Sequence, residues 1–241
     1  MGRSLAGTGH DDRSDMLTLA IETATHAVGV GLGDEAGLIG RIEVLRGRRH
    51  AETLVPAVEA LLVRTELTHA DITAVAVDVG PGLFTGLRVG VAAAKAFALA
   101  LGVPVVTATS LEILAHEVAV GGLWAGRVAA VVDARRKEVY AQLFEVSSAG
   151  AVPCGDPWVG LPSEVAERIR SGGGRVLGVG DGVARHPDAF ASMHDLQCVA
   201  SASPSVAALL ALAGRRSAVS ADEVELVYLR APDAEINWVK R

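Results

Sequence analysis

Apolar positions change period along the chain. At residues 16–25 (MLTLAIETAT), 26–34 (HAVGVGLGD) and 37–45 (GLIGRIEVL) they crowd into short runs bounded by Thr-rich or Asp/Glu/Gly turns, the pattern of three strands in an antiparallel meander. Residues 51–67 switch to helical spacing, with Leu54, Val55, Val58, Leu61 and Leu62 on one stripe and Pro56 early enough to be tolerated. DITAVAVDVG (71–80) reads as a buried strand, GLRVGVAAAKAFALALG (86–102) as a helix and VPVVTATS (103–110) as another strand. The order βββαβαβ predicts an α/β sheet with an antiparallel edge. The second half repeats it more loosely. It holds a hairpin over 127–146 turning at DARRKE, a short helix at SEVAERIRSGG and a strand at RVLGVGDGV with a glycine-rich exit. A helix follows over 203–216, capped by Ser203 or Ser205.

Two halves that each open on a β-hairpin predict a duplicated α/β fold of two lobes, the plan of the actin-like (ASKHA) architecture, with the second lobe reduced. The expected division is a disordered polar leader over 1–15, an N-terminal lobe over 16–108 and a smaller second lobe over 109–202. Residues 203–241 form a helix returning to the first lobe, plus a tail. Half of the 241 residues are apolar but only 4% are aromatic, so the core must be Ala, Val and Leu. That composition does not suit a stacking platform for single-stranded RNA. A net charge of -6 disfavours a chain whose main task is gripping nucleic acid. The basic runs RGRRH (46–50) and RRK (135–137) read as solvated loops. The longest apolar run is cut by Arg88 and Lys95, which predicts no membrane span, and the N-terminus lacks the apolar stretch of a signal peptide. A cytoplasmic protein is expected.

Candidate chemistry centres on Gly80-Pro81-Gly82-Leu83-Phe84-Thr85-Gly86. The spacing matches neither a Walker A loop nor GxGxxG, and Pro81 has no N–H to give. A buried strand leading through glycines to a helix N-terminus is nonetheless the setting of an anion site, with Thr85 as helix cap and Arg88 in the first turn. The alternative is that the glycines serve positive φ and close packing. Glu22 in IETAT and Asp133 in VVDARR end corresponding strands of the two halves. They could flank a cleft and hold Mg²⁺ with phosphate, or they could be turn-forming acids. No pair of the seven histidines has HxxxH or HExxH spacing, and Cys154 and Cys198 stand far apart, so no metal centre or disulfide framework is expected. The helix over 86–101 carries only Arg88 and Lys95 as charges. An all-round apolar helix is covered on nearly all sides, and Gly86, Gly90, Ala93, Ala94 and Ala98 would admit a second helix from a partner.

LAIETATHAVGVGL, RRHAETLVPAVEALL, VDVGPGLFTGLRVGVAAAKAFALALGVPVVTATSLE, VVDARRKEVYAQLF and VYLRAPDAE resemble the TsaB family of tRNA threonylcarbamoyladenosine (t6A) biosynthesis. The resemblance covers residues 16–146 closely, then the tail near 226–235. It implies a non-catalytic scaffold that pairs with TsaD, the subunit expected to transfer threonylcarbamoyl to N6 of adenosine 37 in tRNAs reading ANN codons. The ATPase TsaE joins them, and tRNA is met mainly through the complex. The metal-ligating histidine pair of TsaD falls at positions matching Ser110 and Leu114, neither of which can replace it. The resemblance implies a TsaD-binding surface on helices 51–65 and 86–101, formed by Leu54, Val58, Leu61, Gly86, Arg88, Val89, Gly90, Ala93, Ala94 and Phe97. Alone, the same surface would close on itself as a homodimer. Glu22, Thr23, Gly80, Gly82, Thr85 and Asp133 would be a vestigial nucleotide or phosphate site. Glu22 stands where the family commonly has Asp, which weakens inherited Mg–phosphate binding. No tightly bound cofactor is expected, with ATP or ADP and Mg²⁺ confined to the joint with TsaD. The rival readings are a small ASKHA phosphotransferase using Glu22, Asp133 and the glycine loop, a glycoprotease-like metalloenzyme, and a direct tRNA-binding subunit.

Overall fold

The first sheet is assembled from both kinds of connection that the hydrophobic pattern predicts. Strands β1 (Thr18–Glu22), β2 (Val28–Asp34) and β3 (Gly37–Val44) form the antiparallel meander. Helix α1 (His50–Thr65) crosses to β4 (Ala74–Asp78), and α2 (Phe84–Leu101) crosses to β5 (Val105–Ala108). The strand order is β3-β2-β1-β4-β5, with β1, β4 and β5 parallel. The structure, a computed structural model, describes residues 16–45, 49–122, 124–191, 196–199 and 203–230. The expected leader over 1–15 and the tail beyond 230 lie outside them.

After α3 (Ser110–Gly121) the plan is repeated. Strands β6 (Gly126–Arg135), β7 (Glu138–Ser147) and β8 (Gly150–Pro153) form a second meander, with β9 (Trp158–Gly160) also paired to β7. Helix α4 (Pro162–Ser171) leads to β10 (Val176–Val179). The short helices α5 (Asp181–Arg185) and α6 (Pro187–Phe190) lead to β11 (Leu196–Val199). The order β8-β7-β6-β10-β11 reproduces that of the first sheet strand for strand. This repeated order is the duplicated actin-like (ASKHA) α/β plan. The hairpin pattern had shown only β6 and β7. Strand β8, the four residues GAVP, is too short to stand out, and its pairing to β7 defines it.

Helix α7 (Val206–Ala213) starts at Ser205, whose hydroxyl accepts the Ala208 N–H, and packs back on the first sheet. Gly29 and Gly31 admit Val206, and Gly33 admits Leu210, so the glycines of VGVGLGD are the groove in which α7 lies. The opposite face of that sheet carries α1 and α2 over Leu19, Ile21, Val30, Val75 and Val77.

Helix α2 departs from the sequence reading in three ways. It begins at Phe84 with Leu83 as N-cap, so Thr85 is not the cap and is exposed on the first turn. With 18 residues and a mean hydropathy of 1.5 it is long and apolar enough to cross a membrane by length and composition. It is instead half core: Gly86, Leu87, Gly90, Val91, Ala94 and Ala98 are buried, while the rest of its circumference is partly or fully open.

Candidate functional site

The glycine loop meets the β1–β2 turn, and the two are packed to backbone contact. A Cβ on Gly82 would lie 2.3 Å from the Ala24 carbonyl oxygen, one on Gly86 2.1 Å from the Thr23 carbonyl oxygen, and one on Gly90 2.2 Å from Thr23 Oγ1. Only absent side chains permit this approach. Hydrogen bonds lock it. The Leu83 N–H donates to Ala24 O at 2.6 Å, and Thr23 Oγ1 donates to Gly86 O at 2.9 Å. His50 Nε2 lies 2.9 Å from Thr25 O, tying the start of α1 to the same turn.

Below the loop, β1 and β4 run parallel and end on the acids Glu22 and Asp78, whose side chains share one face of the sheet. They are 1% and 0% exposed. Glu22 Oε1 accepts the Ala24 N–H at 2.6 Å. Asp78 Oδ1 accepts the Gly80 N–H at 2.7 Å and Ser110 Oγ at 2.8 Å, while its Oδ2 is buried without a partner. Burial pushes the Asp78 carboxyl up to about 7, against the two hydrogen bonds that favour its charge. Burial, and then the Asp78 charge, hold Glu22 well above the usual carboxylate range.

These facts support the packing reading of the loop. The Gly80 N–H serves Asp78, the Leu83 N–H serves Ala24, and the Thr23 hydroxyl serves Gly86. Glu22 and Thr23 lie inside the protein. The residues present do not fit a Mg–phosphate cradle. Of the six residues expected at a nucleotide site, only Gly82 and Asp133 line the cleft between the two sheets. Glu22, Thr23 and Gly80 are structural, and Thr85 faces out on α2.

The cleft has a volume of about 350 Å³. One wall is Leu83, Phe84 and Tyr228, the other Val132 and Tyr140, with Asp133 and Arg135 among its polar groups. The Asp133 carboxylate is bracketed by Arg135 at 3.3 Å and Arg185 at 3.4 Å, and its N–H donates to Asp181 Oδ1 at 2.9 Å. Burial raises the Asp181 carboxyl. Arg135, Arg136 and Lys137 turn the hairpin with φ of 62°, 52° and 65°, a left-handed run costly for residues with side chains. Arg135 thereby reaches His26 on the first lobe at 2.5 Å. Sequence reasoning missed His26, Asp181 and Tyr228. Only Asp181 had a signal, in the glycine-flanked GDG after a strand.

The described part of the tail crosses the chain's own joint. The Val227 N–H donates to Val79 O, Tyr228 packs on Phe84, and Arg230 pairs with Glu138 at 2.7 Å.

Most of the ten residues expected on a partner surface lie inside the first lobe. Leu54, Val58, Leu61 and Ala94 belong to the first lobe's core, and Gly86 and Gly90 are sealed against Thr23. Val89, Ala93 and Phe97 are half-buried along its edge. Arg88 alone of the ten is exposed, lying 3.8 Å from the centre of the Phe84 ring. The open faces are instead Val55, Ala60 and Val63 on α1, and Ala92, Ala96 and Leu99 on α2. Val63 is 74% and Leu99 66% exposed.

The family model for TsaD, tRNA N6-adenosine threonylcarbamoyltransferase, matches residues 44–152. The tRNA threonylcarbamoyladenosine biosynthesis protein TsaB of Bacillus subtilis is 28% identical over 232 residues, spanning 93% of this chain and 99% of that one. TsaB of Escherichia coli is 33% identical over 184 residues, 72% of this chain and 74% of that one. The solved structure of YeaZ from Pseudomonas aeruginosa superposes with a TM-score of 0.79 at 31% identity, covering 89% of this chain and all of that one. The chain carries this fold and this sequence together, and it belongs to the TsaB family of tRNA threonylcarbamoyladenosine biosynthesis proteins.

Proposed function

We propose that the chain is a non-catalytic subunit of t6A formation that pairs with TsaD through the outward faces of α1 and α2. The observation that carries the pairing is the exposed stripe of Ala92, Ala96, Leu99 and Ala100 on α2, with Val55 and Val63 exposed on α1, the helix packed against it. Small residues along a helix let another helix pack closely, and an apolar face of this extent needs a cover. The positions that match the metal-ligating histidines of TsaD support a scaffold reading. Ser110 is spent on Asp78, and Leu114 is in the second lobe's core. The transfer of threonylcarbamoyl to adenosine 37 then belongs to TsaD, with TsaE as third component and tRNA held by the complex in the cytoplasm. The filled glycine joint supports placing ATP or ADP with Mg²⁺ at the contact with TsaD rather than in this chain's loop. The loop's role is mechanical: it sets the angle at which α2 leaves the sheet.

The test is co-elution of the purified chain with TsaD. Leu99→Glu, on an exposed position, is expected to keep the fold and weaken pairing at least tenfold, about 1.4 kcal/mol. Unchanged pairing would remove α2 from the interface. ATP turnover by the chain alone would favour the phosphotransferase reading instead.

A further inference from the structure

The turn between β6 and β7 is built from residues that its backbone disfavours. A two-residue hairpin turn with both φ positive strongly prefers Asn-Gly, Asp-Gly or Gly-Gly. Here Arg136 and Lys137 hold those places with φ of 52° and 65°. Arg135 before them is left-handed too, beside a register shift between Asp133 and Arg135, the kind of bulge that re-aims a strand end. Three long cationic side chains thus stand exposed where the backbone asks for short ones. The Lys137 side chain makes no hydrogen bond or ion pair among the described residues, so no packing gain offsets its conformation. A local rule broken without such a gain marks residues kept for another purpose.

The tip has cationic neighbours. Lys137, Arg185 and His186 line one open groove of about 460 Å³ beside it, together with Ser163. The carboxylates beneath the tip are already engaged. Asp133 sits between Arg135 and Arg185, Asp181 holds Arg185 at 3.5 Å, and Glu138 pairs with Arg230. Asp188 is the one acid lining the groove. A local cationic ridge therefore stands on a chain of net charge -6.

We propose that this ridge, Arg136 and Lys137 with Arg185 and His186 beside them, binds the phosphodiester backbone of RNA. Such contacts need closely spaced cations, and they position a nucleic acid without reading its bases. The tip is cationic throughout, with Ala134 and Val139 behind it buried, so it offers no apolar side chain to a lipid surface. The RNA is the tRNA of t6A formation, an identity that rests on the reading of this chain as a t6A subunit. The ridge belongs to the second sheet and the surface proposed for TsaD to helices of the first lobe, so the two contacts are tested apart. The run RRK, read from sequence as a solvated loop, thereby gains a ligand.

The experiment gives the turn the residues it prefers, through Arg136→Asn combined with Lys137→Gly. A labelled transcript of an ANN-reading tRNA is titrated with the full chain, alone and with TsaD, at salt from about 50 to about 200 mM, and followed by fluorescence anisotropy. The double variant should bind about tenfold more weakly or worse at about 100 mM salt. The slope of log affinity against log salt should flatten by about 1.5 to 2, as two lost phosphate contacts require. Its thermal midpoint should hold or rise, because the turn is relieved. Lys137→Gly alone should flatten the slope by about half as much. Unchanged affinity and slope in both variants overturn the proposal. So does a lowered midpoint in Lys137→Gly, which would give the side chain a structural role. Loss of polyglutamate binding with tRNA binding intact would assign the ridge to an acidic protein, and the proposal fails. Joint loss of TsaD pairing and tRNA binding in the double variant would assign it to TsaD, with the same result. Tip-dependent tRNA binding by a chain that does not pair with TsaD keeps the proposal and removes the subunit reading.

Discussion

Replacing Asp78 by Asn should change how stability depends on pH more than it changes stability at any one pH. The folded protein binds the Asp78 proton with a pKa of about 7, whereas an unfolded aspartate titrates near 3.9. The carboxyl pKa is raised on folding, so its contribution is intact below about pH 4. It is lost progressively as pH rises to about 7, and the loss is constant beyond. Three units of difference at about 1.36 kcal/mol each amount to a loss of about 4 kcal/mol across that window. Asn keeps the acceptor used by the Gly80 N–H and Ser110 Oγ and carries no titrating proton. Its amide N–H groups need partners where Asp78 Oδ2 has none, a cost that does not vary with pH. The gap between variant and wild type should therefore move in the variant's favour by several kcal/mol between pH 4 and pH 8. Glu22 stays raised by its own burial in both proteins, and the variant is relieved of the Asp78 charge that raises it further, which moves the gap the same way. Urea unfolding followed by tryptophan fluorescence at four or more pH values gives the difference directly. Parallel stability curves for the two proteins over that range would refute the argument, showing that Asp78 is ionised and solvated in the folded state.

Two other substitutions probe the same architecture. Gly86→Ala puts a methyl 2.1 Å from the Thr23 carbonyl and should cost about 1–3 kcal/mol, seen as a lower thermal midpoint together with weaker TsaD pairing because α2 must shift. An unchanged midpoint would show that the joint is soft. His116 is 3% exposed with both ring nitrogens unpartnered, and burial, then Arg215 and Arg216, lower its pKa. The unfolded chain takes up this proton first, so stability should fall as pH drops through about 6.5, and His116→Leu should flatten that part of the curve.

Much of the fold was legible because it depends on local period. Alternating and helical runs marked the first meander, α1, β4, α2 and β5, and the start of α7 was marked to Ser203 or Ser205, of which the structure uses Ser205. The repeated hairpins were enough to predict duplicated lobes. Strands β8 and β9 escaped because short, half-exposed strands have no period of their own and exist through pairing to β7. The cleft escaped for a related reason. His26 and Arg135 meet across the lobes, and Tyr228 reaches Phe84 from the far end of the chain.

The sequence by itself determined the order of elements, the glycines at the joint and the family. It could not determine which face of α2 points inward. A helix apolar all round has no polar side to choose by, and the choice fell to Thr23, against which only Gly86 and Gly90 can pack. Nor could it determine the role of the loop. The glycines fit a phosphate cradle and a backbone joint equally well. Only the tertiary structure commits the Gly80 and Leu83 amides to Asp78 and Ala24, which supports the joint. The buried acids were likewise decided by register. Glu22 and Asp78 end two strands far apart in the chain, and the parallel pairing of β1 with β4 brings them to one desolvated face, where the Asp78 charge raises the cost of charging Glu22.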